Sequence, residues 1–281
     1  MNFPSILKAS ALASVSTILF SGAAFAQFGG GMPSSPDKVI DMAIETAEKL
    51  DAKGTADAKK EACDALKKVP SSALDMAGGD VKSFAQMAKE QQPDELRRHF
   101  LRRIHDLHGF ISAMRRFPKP IIASVRGAAA GAGVSLAAAC DLIIASEDAF
   151  FTLAYCHIGI SPDGSATYAL PRMVGVKKAM EMVLLGDRLN AQSMADAGLV
   201  NMVVPDAELD AETDKIAQRL AQGPTRAYGH AKRLMWTSVN NQLEHQLQLE
   251  AEAFADCAGG HDFREGVTAF VEKRRPVFKG S

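Results

Sequence analysis

The chain has 281 residues, of which 47% are hydrophobic and 23% charged, and its formal net charge is −1. This apolar content suffices for one large globular domain or two small ones. The near-neutral charge argues against nucleic-acid binding, which requires a basic surface. The four cysteines are scattered, with no CxxC pair and no histidine at ligand spacing, so neither a metal site nor a disulfide framework is expected.

The first 26 residues have the features of a secretory signal peptide. A lysine at position 8 precedes an apolar stretch, and residues 24–26 (Ala-Phe-Ala) form a small-x-small cleavage pattern. The stretch is too short and too rich in Ser and Ala for a transmembrane span, so no stable membrane insertion is expected. These residues predict export with Gln27 as the mature start, and the alternative is an upstream extension or a wrongly chosen start.

The next segment, residues 27–72, is interpreted as a linker followed by Ala/Lys-rich helices without chemistry. Beyond it, an apolar stripe at helical spacing predicts an amphipathic helix over 93–117. Apolar runs predict strands at 121–125, 142–145, 150–153 and 200–204, and helices dominate after residue 206. This order is typical of an α/β core with a helical extension.

The stretch 127–141, GAAAGAGVSLAAACD, follows a buried strand and opens a helix with almost no side-chain bulk at the turn. Such a turn leaves backbone N–H groups open to a ligand oxygen, and the helix dipole favours negative charge there. The structural alternative is tight packing of the helix on the strand.

A second small-residue loop, residues 77–82 (AGGDVK), offers another N–H group at Gly79. Two donors from separate loops are what an oxyanion hole for a thioester oxygen needs. A Gly-Gly-Asp segment is also common in simple turns.

Three stretches together resemble the crotonase, or enoyl-CoA hydratase/isomerase, superfamily. They are ALDMAGGDVKSF at 73–84, RGAAAGAGVSLAAACDLIIASEDAFFTLAYCHIGISPDGSATYALPRMVG at 126–175, and FREGVTAFVEKRRPVFKG at 263–280. The resemblance implies a spiral of β-β-α units over 73–205, a C-terminal helical trimerisation region over 206–281, and an acyl-CoA substrate. It further implies a homotrimer or a dimer of trimers, a cytoplasmic location, and coenzyme A as part of the substrate with no permanently bound cofactor.

The resemblance also assigns site residues. The N–H groups of Gly79 and Ala132 match the oxyanion hole that receives the thioester carbonyl. Ala77 and Lys82 match positions beside the CoA moiety. Phe270 and Lys273 match positions that contact the adenine end of CoA, often from a neighbouring subunit. Without the resemblance, Phe270 would be a core anchor and Lys273 a solvated charge at a helix end.

The sequence departs from the hydratases of the family at both catalytic carboxylates. Ser135 and Tyr155 stand where hydratases carry the two glutamates that hold water, and neither is a carboxylate base. Asp163, eight residues after Tyr155, matches an aspartate that does the chemistry in several isomerases of the family. A partly desolvated carboxylate can take a proton from one carbon and return it to another. The structural alternative is that Pro-Asp-Gly is an ordinary turn.

The dehalogenase of the family that acts on chlorobenzoyl-CoA supplies a second hypothesis. The spacing of His108, Ala132, Tyr155 and Asp163 matches its water-activating histidine, oxyanion donor, halide-site tryptophan and nucleophile. Asp163 would then attack a ring carbon and form an aryl ester. Because Tyr155 replaces the tryptophan and a helix histidine is often structural, we predict an enoyl-CoA isomerase. The alternatives are the aryl-CoA dehalogenase, an enoyl-CoA hydratase, and an inactive CoA-binding homologue.

One departure concerns the fold. Members of the family begin with about sixty residues of strands and a helix, and here those N-terminal strands are missing or replaced. Residues 69–72 (VPSS) cannot supply the strand expected before residue 73.

Overall fold

The structure is a computed structural model that describes residues 16–21 and 81–281. The strands among these residues are β1 (Ser16–Ser21), β2 (Ile121–Arg126), β3 (Ala128–Ala130), β4 (Leu142–Ser146), β5 (Phe150–Thr152), β6 (Leu189–Asn190) and β7 (Met202–Val204). They form a parallel sheet of order β1-β2-β4-β7 and a smaller sheet of order β3-β5-β6. In the smaller sheet, β3 and β5 are parallel, whereas β5 and β6 are antiparallel.

The α-helices of the described residues lie between and after the strands, and they are numbered in chain order. They are α1 (Val81–Glu90), α2 (Pro93–Arg116), α3 (Ala132–Ala139), α4 (Ala166–Met173), α5 (Gly175–Leu185), α6 (Ala191–Asp196), α7 (Leu209–Ala221), α8 (Thr225–Ser238), α9 (Leu243–Ala258) and α10 (His261–Val271). Successive strands β2 and β3 lie in different sheets and α3 follows them, which is a β-β-α unit of the predicted spiral.

The chain passes between the two sheets at two short turns. Between β2 and β3 lies Gly127, whose φ of 70° suits glycine because side chains disfavour that region. Between β4 and β5, Ser146 and Asp148 are joined by a short hydrogen bond of 2.5 Å that closes the turn. These turns carry the chain from the larger sheet to the smaller one.

Strand β2 is buried on both faces, as parallel strands covered by helices are. On one face Ile122 packs with Ile144, Val204 and Leu209, beneath α7. On the other face alternate residues enter the main core between the sheets and α3. The short predicted strands are therefore confirmed, and their near-continuous apolar runs have a physical reason.

The helix α2 confirms the predicted amphipathic helix at 93–117. Its start is fixed by a capping box between Gln92 and Glu95, with Pro93 at the first helical position. Its apolar face supplies Ile111 and Met114 to the core. Pro118 follows the last turn, where a helix cannot easily continue.

Strand β1 is the element that the sequence did not predict. Residues 16–21 pair in parallel with all of β2, from Ser16 opposite Ile121 to Ser21 opposite Arg126. The sequence analysis assigns these residues to the signal-like segment. In the structure, the same apolar run is a strand of the parallel sheet. The remaining residues of the predicted segments 1–26 and 27–72 lie outside the described part of the chain.

The helical extension after residue 206 is confirmed. Helix α8 is fixed to the core by a buried ion pair between Lys232 and Asp141. Helices α9 and α10 leave large apolar side chains exposed, among them Phe254 and Phe270. Within the described ranges, none of the helices combines the length and apolarity needed to cross a bilayer.

Candidate active site

The start of α3 contains Ala132, the position where the sequence predicts an oxyanion donor. Gly131 has a φ of 53° and donates its N–H to the carbonyl of Thr152 at 2.9 Å. This bond ties the turn to β5 and directs the chain into α3. Ala132 is the first residue of α3 and is buried, and a first-turn N–H has no acceptor within its own helix. The turn therefore provides a main-chain donor with the polarity that an oxyanion requires.

Asp163 lies beside this turn and is linked to it by one side chain. The hydroxyl of Tyr155 donates a hydrogen bond of 2.6 Å to Oδ1 of Asp163. The ring of the same tyrosine faces Gly131, where an added Cβ would lie 3.6 Å from Cζ. The structure thus brings Ala132, Tyr155 and Asp163 together.

The Asp163 main chain is held by a second residue. Ser135, on the buried helix α3, donates from Oγ to the Asp163 carbonyl at 3.0 Å. Gly164 follows with a φ of 58°, and a Cβ there would lie 2.8 Å from the Ser135 Cβ. Only glycine fits this close approach. The two positions where hydratases carry glutamates, Ser135 and Tyr155, are therefore both bonded to Asp163.

Burial sets the protonation state of the tyrosine. Tyr155 is 7% exposed, and burial, followed by the neighbouring Asp163 charge, raises its pKa above the ordinary value. The phenol therefore keeps its proton and acts as a donor to the carboxylate, rather than as a base.

Ser165 is a site residue that the sequence analysis missed. It has a φ of 71°, unusual for a residue with a side chain, and precedes the first turn of α4. Its Oγ is buried and has no hydrogen-bond partner within the part of the chain that the structure describes. A strained backbone and a buried hydroxyl without a partner, two residues from Asp163, are features that concentrate at functional sites.

His108 lies on α2 and is exposed. Ile111, one turn later on the same helix, reaches the Asp163 loop, since its Cδ1 lies 3.4 Å from the Cβ that Gly164 lacks. Among residues 81–281 the structure gives no hydrogen bond between His108 and Asp163. The predicted role of His108 as a base stays a prediction.

The predicted CoA-binding residues are spread over the chain. Ala77 and Gly79 lie outside the described residues, and Lys82 is an exposed residue of α1. Phe270, 86% exposed, lies on α10, and Lys273 follows that helix with a φ of 55°. Within the described single chain, the structure does not bring Phe270 and Lys273 into contact with Asp163.

No three His, Cys, Asp or Glu side chains of the described residues are grouped as metal ligands would be. The groups brought together are a carboxylate, a phenol and a main-chain donor. Such a set can move a proton next to a carbonyl whose oxygen gains charge.

Comparison with known proteins identifies the family to which this fold belongs. The sequence model for enoyl-CoA hydratase/isomerase matches residues 72–281, about three quarters of the chain. The chain belongs to the enoyl-CoA hydratase/isomerase family. Its members in these comparisons are enzymes of the crotonase type, so the predicted family and fold are confirmed.

The relatives of the family differ in their named reactions. A probable enoyl-CoA hydratase of Rhodobacter capsulatus is 41% identical over 170 residues, which cover 60% of this chain and 66% of the relative, just under two thirds. The trans-2-decenoyl-[acyl-carrier-protein] isomerase of Streptococcus mutans is 35% identical, over 72% of this chain and 76% of the relative. The names divide between hydration and isomerisation, so the reaction must be argued from the site.

Solved structures of the family agree with the fold. An enoyl-CoA hydratase from Polaromonas superposes with a TM-score of 0.67 at 34% identity, covering 72% of this chain and 77% of that one. An enoyl-CoA hydratase subunit from Geobacillus kaustophilus gives 0.68 at 26% identity, with 96% of both chains covered.

Proposed function

We propose that the chain is an enoyl-CoA isomerase in which Asp163 moves a proton between two carbons of the acyl chain. The observation that carries this proposal is the single carboxylate beside the Ala132 turn. Its Oδ1 accepts from Tyr155, while none of the described residues 81–281 donates a hydrogen bond to Oδ2. Ser135 and Tyr155 hold no charge that could activate water, which favours proton transfer over hydration.

The proposed reaction converts a 3-enoyl thioester into the conjugated 2-enoyl thioester. Oδ2 of Asp163 takes a proton from C2, and the electrons of the broken C–H bond pass to the thioester oxygen as a dienolate. The N–H of Ala132, together with that of Gly79, would stabilise this negative oxygen. Asp163 then returns the proton to C4, the double bond moves to C2–C3, and the carboxylate is restored.

Substrate binding is proposed from the family resemblance. Ala77 and Lys82 would lie along the CoA moiety, and Phe270 and Lys273 would contact its adenine end. Phe270 is 86% exposed within one chain. We therefore expect it to contact CoA that is bound to a neighbouring copy, in a homotrimer or a dimer of trimers. An acyl-CoA substrate requires a compartment that contains CoA thioesters, so this activity and export through residues 1–26 exclude each other.

The test is the replacement of Asp163 by Asn, which keeps the shape and removes the base. We expect isomerisation of a 3-hexenoyl-CoA, followed by absorbance of the conjugated thioester, to fall about 10²- to 10⁴-fold. Binding of the saturated hexanoyl-CoA, measured by calorimetry, should remain. The matched control is Asp214→Asn, at an exposed position of α7. Wild-type turnover in Asp163→Asn would overturn the proposal, and hydration of 2-hexenoyl-CoA without isomerisation would replace it with a hydratase.

A further inference from the structure

The Tyr155 phenol donates to the Asp163 carboxylate, and its position is constrained by several contacts. The ring is buried in the main core cluster, and the Tyr155 N–H donates to the carbonyl of Leu153 at 2.8 Å. The Tyr155 carbonyl in turn accepts from the N–H of Ile160 at 3.2 Å. With ring and backbone both fixed, the hydroxyl is a stationary donor.

The aspartate is fixed from the other side. Its carbonyl accepts from the Ser135 hydroxyl at 3.0 Å and from the N–H of Ala166 at 3.1 Å. The tight contact of Gly164 with Ser135 removes further freedom from the loop. The main chain and Oδ1 of Asp163 are thus held at separate points, which restricts rotation of the carboxylate.

We propose that Tyr155 is a positioning residue that holds Oδ1 of Asp163 and leaves Oδ2 as the one oxygen that exchanges a proton with the substrate. This inference rests on the proposed function, because it concerns the same carboxylate. A base fixed within reach of its target carbon contributes rate through orientation, independently of substrate affinity.

The bond also has a chemical consequence. A hydrogen bond from a neutral phenol stabilises a carboxylate more than a protonated acid. When Oδ2 has taken a proton from C2, the neutral acid loses part of that stabilisation. Return of the proton to C4 restores it, so the contact favours completion of the transfer over a stalled dienolate.

The test is Tyr155→Phe, which removes one oxygen and keeps the ring. We expect kcat for 3-hexenoyl-CoA to fall about 10- to 100-fold, as for the loss of a hydrogen bond to a charged group, with KM within about twofold. The acid limb of the kcat/KM profile should move to higher pH, because the carboxylate loses a donor that favours its charged form. A purely structural role would not shift this limb.

The controls separate this inference from the proposed function. Tyr168→Phe removes the same atom from a tyrosine whose hydroxyl accepts from Asn240, and it should leave kcat and the profile unchanged. In Asp163→Asn, adding Tyr155→Phe should cost nothing further. Ser135→Ala removes the hydrogen bond to the Asp163 carbonyl and should lower kcat a few-fold.

The outcomes are distinct. If Asp163→Asn is inactive and Tyr155→Phe keeps the wild-type kcat and acid limb, the positioning role is wrong and the isomerase proposal stands. If Asp163→Asn is active, the isomerase proposal itself fails. An equal loss in Tyr155→Phe and Tyr168→Phe would also contradict the inference, because the effect would not depend on contact with Asp163.

Discussion

The ammonium group of Lys232 lies 2.7 Å from the carboxylate of Asp141, although the two residues are 91 positions apart and the lysine side chain is only 5% exposed. The same ammonium group donates to the carbonyls of Met114 and Lys119. Asp141 also accepts from the N–H of Ile121 and from the indole of Trp236. One ion pair therefore joins α8, the end of α2 and the start of β2.

Replacement of Lys232 by Met should destabilise the protein strongly. The Asp141 carboxylate would stay buried without its counter-ion, and two carbonyls would lose a donor. Removing one partner of a buried pair costs about 3–5 kcal/mol, so we expect the free energy of unfolding to fall by about that amount. Urea titration followed by fluorescence of Trp236, the one tryptophan of the sequence, measures this directly.

A surface pair of the same kind provides the control. Lys215 pairs with Glu212 on the solvent-facing side of α7, and the Lys215 side chain is 71% exposed. Exposed pairs contribute about 0–1 kcal/mol, so Lys215→Met should unfold near the wild-type urea concentration. Equal effects of the two substitutions would contradict a stabilising role of the buried ion pair between Lys232 and Asp141.

Local pattern explains what the sequence predicted of the fold. The apolar runs of β2 and β4 and the amphipathic stripe of α2 are periodic signals, and each was confirmed as an element within a few residues. Strand β1 was missed because its residues carry the composition of a leader. Pairing with β2, about a hundred positions away, decides their conformation, and local pattern does not report such contacts.

The sequence predicted several residues of the candidate site, but it did not predict the hydrogen bonds between them. Asp163 and Ala132 follow from motifs that stand in the sequence, whereas the bond between Tyr155 and Asp163 depends on how the loop after β5 folds. One feature of the sequence could have predicted the role of Ser135. It is the polar residue in the otherwise apolar, fully buried α3, and a buried hydroxyl requires a partner.

Replacement of Ser165 by Gly should stabilise the protein. The φ of 71° costs a residue with a side chain more than it costs glycine, and the buried hydroxyl without a partner disappears. Against these gains stands the greater freedom of glycine in the unfolded chain. We expect a net gain of about 1 kcal/mol in urea titration. A lower isomerase rate in this stabilised variant would assign the Ser165 hydroxyl to the substrate.

The opposite change at the preceding position should be harmful. In Gly164→Ala the new methyl group would meet the Ser135 side chain at 2.8 Å in a backbone region that alanine disfavours. We expect a loss of about 2 kcal/mol in stability and a reduced kcat, since the Asp163 loop must shift. As a comparison, Gly133→Ala has nothing within 4 Å of the added carbon and should be much milder.

The contact of Glu265 with the C-terminal segment should weaken in acid. Glu265 accepts from Arg274 and from the N–H of Val277, and these bonds, the arginine first, lower the pKa of Glu265 from 4.5 to about 2. A lowered pKa stabilises the folded arrangement above pH 4.5, and this contribution is lost as the pH falls towards 2. The Val277 amide resonance, followed by NMR, should titrate with a midpoint near 2. In Glu265→Gln that titration should vanish, and a midpoint at the ordinary glutamate value would contradict the contact.

Loss of β1 should expose the edge of β2. A chain that starts at Gln27, as cleavage after the signal-like segment would leave it, lacks the six residues that pair with β2. An uncovered strand edge offers unpaired N–H and C=O groups to other chains. We expect this shortened chain to unfold at a lower temperature and to aggregate more readily than the full chain, measured by calorimetry and light scattering. A matched chain that starts at residue 12 keeps β1 and should behave like the full chain. If all three behave alike, the pairing of β1 contributes nothing to the stability of the sheet.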